Sequence, residues 1–463
     1  MKHSIVIAVA VPLLAACASA PRAPEIPPHG VIGVTDTQLD PEYWVRHGAN
    51  SRVVLDEGAI AAQNAKLKQL DRSVHDLEKL PRTMTASEVR AWIEKISERP
   101  DEPLYDAHGQ VLPANALDAL EAELNLAAIP ATQATRFGLV VRRADLRTFP
   151  TMDRVFSEPD DGTDIDRFQE DALFAGTPVA ILHQSSDGQW LFVVSPLYAA
   201  WIDKRFVAEG TADEVFAYAR KEPYVVVTGA RAHTVFTPER PEVSELALEM
   251  GQRLPLLTDW PADKPVNGQS AYTSYVVELP MRSVDDGSLH FTPALLQKNS
   301  DVAEDYLPLT RANLIRQSFK FLGERYGWGH SYNSRDCSGF VSEVYRSFGV
   351  QLPRNTRDQG VSPALNRIAF TADDDHDKRL AVLREAQVGD LIYIPGHVMM
   401  VIGQDGGGPY VIHDTTGITY RDADGVLTRV HLNGVSVTPL VPLLDGKETS
   451  RVDRVYSIQR IRK

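Results

Sequence analysis

The chain has 463 residues, and its 48 Lys plus Arg stand against 62 Asp plus Glu, for a formal net charge of −14. This length exceeds what one hydrophobic core usually organises and predicts two to four domains. The negative charge argues against nucleic acid as a partner, because phosphate binding depends on a cationic surface. Hydrophobic residues make up 43% of the chain, as is typical of globular proteins.

The first residues indicate a targeting segment. Lys2 precedes an apolar stretch at 4–16 that is too short to act as a membrane-spanning helix. The stretch ends in Leu14-Ala15-Ala16-Cys17, which resembles the lipobox of bacterial lipoproteins. The resemblance implies cleavage before Cys17, diacylglycerol on its sulfur and acylation of the new N-terminus. The alternative is a plain secretory signal with an incidental cysteine.

The residue after the anchor bears on the location. By resemblance to lipoprotein sorting, Ala18 implies the periplasmic face of the outer membrane if the cell is Gram-negative. Four prolines between residues 18 and 30 then predict a stiff, extended tether.

Residues 38–129 are predicted to be mainly helical. Thr85 and Glu88 form a capping-box pattern ahead of Val89, Trp92 and Ile93. No cluster of residues there suggests chemistry, so we expect a packing or docking domain.

From Phe137 the pattern changes to short β-strands. Strands are predicted at 137–141, 178–182 and 190–194, and again at 224–227 and 272–277, with Pro and Gly in the connections. Short strands with irregular loops predict two small β-barrels, at roughly 136–215 and 220–300.

From Thr310 the pattern is α+β. Helices are predicted after Thr310 and from Cys337, and strands at 391–394, 398–402, 410–413 and 426–431.

Cys337 is the first candidate for chemistry. It begins an apolar-periodic helix directly after Asp336, a plausible N-cap. A helix N-terminus favours the thiolate and offers N–H groups to an oxyanion, so we expect a pre-activated nucleophile. The alternative is a buried core thiol. We predict no disulfide between Cys337 and Cys17.

Two histidines supply the base. His397 begins an apolar strand, and His413 lies on the next strand beyond the Gly-rich turn 404–409. A hairpin folded at that turn places the two imidazoles side by side, so that His413 fixes the tautomer of His397. Either histidine alone is commonly a satisfied structural residue.

These segments carry a family resemblance. Arg335-Asp336-Cys337-Ser338-Gly339-Phe340-Val341, Gly396-His397-Val398 and Val411-Ile412-His413 resemble the NlpC-type cell-wall cysteine peptidases. The resemblance implies a papain-like fold with Cys337, His397 and His413 as catalytic residues and Tyr326 near the thiol. His330 stands where the family more often has Gly, which affects the loop conformation.

The upstream chain resembles, more loosely, a subgroup with a docking domain and two bacterial SH3-like domains, through Arg147-Thr148-Phe149-Pro150-Thr151 and Asp187-Gly188-Gln189-Trp190. This implies hydrolysis between γ-D-glutamate and a diamino acid in peptidoglycan stem peptides that carry a free L-Ala amine. It also implies Asp336 and Ser338 as residues that recognise the amine, with helix capping as the alternative for Asp336, and Tyr198 as part of the cleft.

The expected architecture is therefore a multidomain α+β protein: a helical N-terminal domain, two SH3-like β-barrels and a papain-like catalytic domain. The predicted division is a signal peptide at 1–16, a lipidated tether at 17–35, a docking domain at 36–135, barrels at 136–215 and 216–305, and the peptidase at 306–463.

Other functions remain as alternatives. These are an endopeptidase acting on intact wall, a wall-binding adaptor with little activity, and another papain-like reaction such as amide hydrolysis or acyl transfer. The chain has no metal-binding motif and no phosphate-binding loop, so we expect no metal and no cofactor. The expected partners are peptidoglycan-derived peptides and, through the anchor, a membrane; a monomer is expected.

Overall fold

The structure, a computed structural model, describes residues 26–159, 164–405, 407–446 and 448–462. The predicted signal peptide, Cys17 and the tether up to residue 25 lie outside the described residues. None of the helices in these ranges is long and apolar enough to cross a membrane.

The described chain alternates short helices with many strands. The α-helices are α1 Pro41–Arg46, α2 Glu57–Leu70, α3 Ala86–Glu94, α4 Ala114–Glu123, α5 Ala212–Tyr218, α6 Arg311–Phe319, α7 Cys337–Arg346, α8 Thr356–Val361, α9 His376–Arg384 and α10 Arg451–Arg454. The strands before the catalytic region are β1 Val53–Leu55, β2 Thr83–Thr85, β3 Thr132–Ala134, β4 Arg136–Val140, β5 Ala144–Arg147, β6 Gln169–Leu173, β7 Pro178–Gln184, β8 Trp190–Val194, β9 Ala199–Asp203, β10 Val207–Gly210, β11 Tyr224–Val227, β12 Arg231–His233, β13 Ala247–Glu249, β14 Arg253–Pro255, β15 Ser274–Arg282, β16 Leu289–Gln297 and β17 Val302–Ala303. The remaining strands are β18 Leu309–Thr310, β19 Asn366–Ala369, β20 Leu391–Ile394, β21 His397–Asp405, β22 Gly408–Arg421, β23 Leu427–Pro439, β24 Leu443–Leu444 and β25 Ser457–Arg460.

The first β domain is one antiparallel sheet in the order β10-β4-β7-β8-β9-β5-β6. Its strand β8 is apolar at every position because both of its faces are covered. Leu191 and Val193 enter the interior of the sheet, whereas Phe192 and Val194 pack outward against residues from the N-terminal region. The burial of both faces explains why β8 lacks the alternation of a half-exposed strand.

The second β domain consists of three small sheets, β14-β11-β17, β12-β13 and β15-β16. Its longest feature is the β15–β16 hairpin, in which Ser274 lies opposite Gln297 and Arg282 opposite Leu289. The strand predicted at 272–277 therefore begins later and continues further than expected, because its pairing with β16 extends it.

The catalytic domain is built on a sheet in the order β19-β25-β20-β21-β22-β23, with β24 paired to β22. Alternate residues of β21 face opposite sides. Val398 and Met400 pack in the core that contains α6 and α7, whereas Met399 and Val401 pack in the core that contains α9 and α10. The fold class is confirmed as multidomain α+β with a papain-like catalytic domain.

The N-terminal region shares the cores of two neighbours. Val34 and Trp44 belong to the core of the catalytic domain, and β1 pairs with β18. Further along, Val89, Ile93 and Leu124 belong to a core with the first β domain. The predicted docking domain at 36–135 therefore joins these two domains; the boundaries themselves stay a prediction.

Candidate active site

Cys337 occupies the first position of α7, and Asp336 is its N-cap. The Asp336 carboxylate accepts a hydrogen bond of 2.8 Å from the Gly339 N–H. The helix is held against the sheet by Phe340, Val341 and Val344, which are fully buried. The predicted amphipathic helix thus places the thiol rigidly at its N-terminus.

The sulfur lies where α7 meets β21. Cys337 is buried, its Sγ lies 3.6 Å from Thr356 Oγ1, and it accepts a hydrogen bond from the Val398 N–H. Val398 directly follows His397, so the nucleophile candidate and the start of the histidine strand meet at this point.

The two histidines are in direct contact. His397 Nε2 lies 2.7 Å from His413 Nδ1, and the rings are nearly perpendicular with centroids 5.0 Å apart. His413 Nε2 continues the chain to Thr438 Oγ1 at 2.9 Å. The hairpin turn between Asp405 and Gly408 creates this arrangement, as its position in the sequence predicted.

Burial controls the protonation of these groups. It raises the pKa of the Cys337 thiol to about 12, with a further rise from the Asp336 carboxylate, although Thr356 and Val398 act in the opposite direction. Burial, followed by the positive charge of Arg451, lowers the pKa of His397 to about 3. The pKa of His413 is lowered well below its usual value by burial, His397 and Arg451. The Cys337 thiol and the imidazoles of His397 and His413 are therefore neutral before the substrate binds. Desolvation therefore opposes the effect of the helix N-terminus, which was predicted to favour the thiolate.

Asp336 and Ser338 face a buried arginine. Arg354 donates to Asp336 Oδ2 at 2.8 Å and to Ser338 Oγ at 2.9 Å, and its Nε donates to Asp171 of β6 at 2.5 Å. Burial acts to raise the pKa of Asp336, but Arg354 and His330 outweigh it, and the pKa falls to about 2. The sequence pattern included Arg354 but did not reveal this role, because Asp171 lies 183 residues away. Recognition of a substrate amine by Asp336 and Ser338 stays a prediction.

The two predicted tyrosines approach the site from different domains. Burial raises the pKa of Tyr326 well above its usual value, with further contributions from Cys337 and Asp336, its neighbours in the catalytic domain. The Tyr198 hydroxyl donates to Glu170 Oε2 at 2.5 Å, and Tyr198 lines a cavity of about 120 Å³ together with Asn355 and Asp358. Asn355 directly precedes Thr356, whose hydroxyl contacts the thiol. Tyr198 is thus paired with Glu170, a residue that nothing in the sequence singled out.

Asp414 is a further group that sequence reasoning missed. It directly follows His413, is fully buried, and neither carboxyl oxygen has a hydrogen-bond partner among the described residues. Burial, followed by the neighbouring carboxylates of Asp336 and Glu324, raises the pKa of Asp414 well above its usual value. Within the described ranges no group of three or more His, Cys, Asp or Glu side chains is arranged to hold a metal ion.

An α+β sheet domain with a cysteine at a helix N-terminus and a histidine pair on the facing hairpin defines the papain-like class of thiol proteins. Comparison gives the family: residues 323–437 match the NlpC/P60 family, and residues 154–203 match the SH3 domain of SH3b1 type. The predicted resemblance to this family is confirmed over residues 323–437 and that to an SH3-like domain over residues 154–203, whereas the lipid anchor and the second SH3-like domain stay predictions.

Individual proteins and solved structures are similar to this chain to different extents. A γ-D-glutamyl-L-lysine dipeptidyl-peptidase of Bacillus cereus (strain ATCC 10987 / NRS 248) is 29% identical over 219 residues, and the match spans 44% of this chain and 54% of the relative. An NlpC/P60 endopeptidase from Photobacterium damselae subsp. piscicida has the same fold, with a TM-score of 0.69, 18% identity, and coverage of 87% of this chain and 90% of that one. An NlpC/P60 family crystal structure from Bacillus cereus ATCC 10987 has a TM-score of 0.46 and 22% identity, covering 71% of this chain and 100% of its own.

Proposed function

We propose that this protein is a cysteine peptidase that hydrolyses peptidoglycan stem peptides at the bond between γ-D-glutamate and the diamino acid. The observation that carries the proposal is the meeting of the Cys337 sulfur with the start of β21, where His397 contacts His413 and His413 contacts Thr438. The bond specificity draws on the similarity to the γ-D-glutamyl-L-lysine dipeptidyl-peptidase.

The ring nitrogens of His397 determine how the proposed reaction proceeds. His397 Nε2 contacts His413, so His397 Nδ1 is the nitrogen that takes the thiol proton. The sulfur then attacks the γ-carbonyl carbon, and the N–H groups at the first turn of α7 stabilise the oxyanion. His397 returns the proton to the departing amine, which leaves an acyl-enzyme on Cys337. Water, deprotonated by His397, hydrolyses this thioester and restores the thiol.

His413 and Thr438 orient the base. With His397 Nε2–H donating to His413 Nδ1 and His413 Nε2–H donating to Thr438 Oγ1, the ring of His397 is fixed with its Nδ1 lone pair available. The hydrogen bond between the two rings holds both of them in place while they are neutral. Burial disfavours the imidazolium, so His397 becomes charged only when it takes the thiol proton.

Digestion of defined stem peptides tests the proposed reaction. We expect L-Ala-γ-D-Glu-L-Lys, or its diaminopimelate counterpart, to yield the dipeptide L-Ala-γ-D-Glu and the free diamino acid, as measured by mass spectrometry. Cleavage at a different bond, or no cleavage of either peptide, contradicts the proposal.

The same proposal places the enzyme outside the cytoplasm on a lipid anchor. We expect the full-length protein to sediment with membranes and Cys17→Ser to release it or to block its processing. The physical reason is that buried acyl chains contribute about 0.8 kcal/mol per CH₂, which suffices for attachment when several chains are present. Fractionation followed by immunoblotting measures this, and an intact wild-type protein found entirely in the soluble fraction contradicts the anchor.

A further inference from the structure

The loop that precedes the nucleophile, residues 327–335, has a strained backbone. His330, Tyr332 and Asn333 have φ angles of 64°, 60° and 55°, in the left-handed region that residues with a side chain rarely adopt. Glycine at the same positions would adopt these angles without strain. Strained conformations persist only where the surrounding structure holds them, so the contacts that this loop makes decide its shape.

The loop packs directly against the first turn of α7. The Gly329 N–H donates to Oδ2 of Asp336, the N-cap residue of that helix, at 3.1 Å. The ring of His330 lies so close to Gly339 that a Cβ at Gly339 would come within 2.6 Å of the ring carbon Cε1. This turn begins with Cys337, and its N–H groups are the oxyanion donors of the proposed reaction. The position of the loop therefore determines where the thiol and the oxyanion donors lie.

Arg143 of the first β domain holds both ends of this turn of the loop. Its Nη2 donates to the carbonyl oxygen of His330 at 2.9 Å and to that of Ser334 at 2.6 Å. Its Nη1 pairs with Glu249, at the end of β13 in the second β domain, and the two side chains are only 9% and 1% exposed. One buried guanidinium thus joins both β domains to the backbone of the loop, through the fixed fork of its N–H groups.

We propose that Arg143 is a positioning residue for the nucleophile, an inference that rests on the proposed function. Arg143 acts through the backbone of the loop: by fixing His330 and Ser334 it fixes the first turn of α7. Without the guanidinium, both buried carbonyl oxygens lose this donor, and the strained residues relax toward other backbone angles. A small displacement of the thiol or of the oxyanion donors slows the chemical step more than it weakens binding. The first β domain is thereby part of the catalytic unit.

The decisive variant is Arg143→Lys. It keeps a positive charge beside Glu249, so the fold is expected to persist, but an ammonium cannot reproduce the fork that reaches two carbonyl oxygens and a carboxylate. We expect kcat for L-Ala-γ-D-Glu-L-Lys to fall about 10-fold, with KM changed by less than about twofold.

A second variant, Arg143→Ala, adds a readout that a purely structural role would not give. Its kcat is expected to fall about 100-fold and to recover in part when millimolar guanidinium chloride is added, because the free ion can occupy the vacated position. Guanidinium weakens a fold that is merely loosened, so it would not restore activity lost in that way.

The matched control is Asp164→Asn. Asp164 also joins the first β domain to the catalytic domain, since it accepts a hydrogen bond from Arg325 at 2.8 Å, but the Arg325 side chain is 60% exposed and the pair lies outside the loop. This variant is expected to keep wild-type kcat and KM. Thermal unfolding shows whether each variant is folded, and if Arg143→Ala does not fold, Arg143→Lys decides.

Three results overturn the inference while leaving the proposed reaction intact. These are a folded Arg143→Lys variant with wild-type kcat, an equal loss of kcat in Asp164→Asn, and a folded Arg143→Ala variant whose lost activity guanidinium does not restore. A wild-type protein that cleaves no stem peptide counts instead against the proposed reaction itself.

Discussion

Cys337→Ala is expected to abolish peptide hydrolysis, lowering the rate by about four orders of magnitude or more, because the thiol is the group that forms the acyl-enzyme. The fold is expected to persist. The change removes one sulfur atom at the start of α7, whose N-cap bond from Gly339 to Asp336 and whose contacts through Phe340 remain. The rate is measured by chromatography of the released dipeptide, and folding by circular dichroism and thermal unfolding.

The histidines make the same prediction more specific. His397→Ala is expected to lose nearly as much activity as Cys337→Ala, since members of a catalytic unit do not contribute additively. His413→Ala is expected to lose less, because it orients the base and does not contact the thiol proton. His376→Ala is the matched control: this exposed histidine of the same domain pairs only with Asp453 at the surface, at 2.8 Å. A folded Cys337→Ala variant with near-wild-type rate contradicts the mechanism.

Local patterns in the sequence predicted the catalytic hairpin and helix well. The apolar spacing of Phe340, Val341 and Val344 specified α7, and the Gly-rich turn specified where β21 and β22 reverse. Both features depend on neighbours in the sequence, and the contact between His397 and His413 follows from them.

Contacts between distant segments were not predictable in the same way. The N-terminal region was predicted as a docking domain, but its partners were not predicted: Trp44 packs in the catalytic core and Asn64 donates to the carbonyl oxygen of Gly349 at 2.7 Å. The bond from Arg354 to Asp171 likewise joins the catalytic and first β domains. The spacing of apolar residues shows which face of an element is buried, and the residue type shows which side chains are charged. Neither shows which distant segment a face or a side chain contacts.

The pKa of the Cys337 thiol also could not be predicted from the sequence. A helix N-terminus lowers the pKa of a thiol, but the burial of Cys337 and the carboxylate of Asp336 raise it, and only the folded structure shows how much surface is lost. The carboxyl group of Asp414 belongs to the same category, because its burial without a hydrogen-bond partner among the described residues is visible only in the folded structure.

Peptides with a free N-terminal amine are expected to be hydrolysed about 10- to 100-fold faster than the same peptides acylated at that amine, as they are when joined to muramic acid. The reason is the carboxylate of Glu170. Glu170 accepts hydrogen bonds from Tyr198 and Thr148, each at 2.5 Å, and directly precedes Asp171, which pairs with Arg354. An ammonium group beside this carboxylate gains a charge-assisted hydrogen bond, whereas an acylated nitrogen lacks the charge and adds bulk against the first β domain.

Glu170→Gln tests this directly, because it removes the charge and preserves the shape. We expect the variant to lose most of its preference for the free amine while it retains hydrolysis of the acylated peptide at the wild-type rate. The control is Glu209→Gln in the same domain, where the side chain is 44% exposed and pairs with Arg136 at 2.8 Å, away from the cleft. The measurement is a competition between the two peptides, followed by mass spectrometry of the products. Equal or faster hydrolysis of the acylated peptide by the wild type contradicts the prediction and indicates an endopeptidase acting on intact wall. The mechanism at Cys337 is unaffected by that outcome, since the amine belongs to the L-Ala residue, whereas the attacked bond follows the D-glutamate.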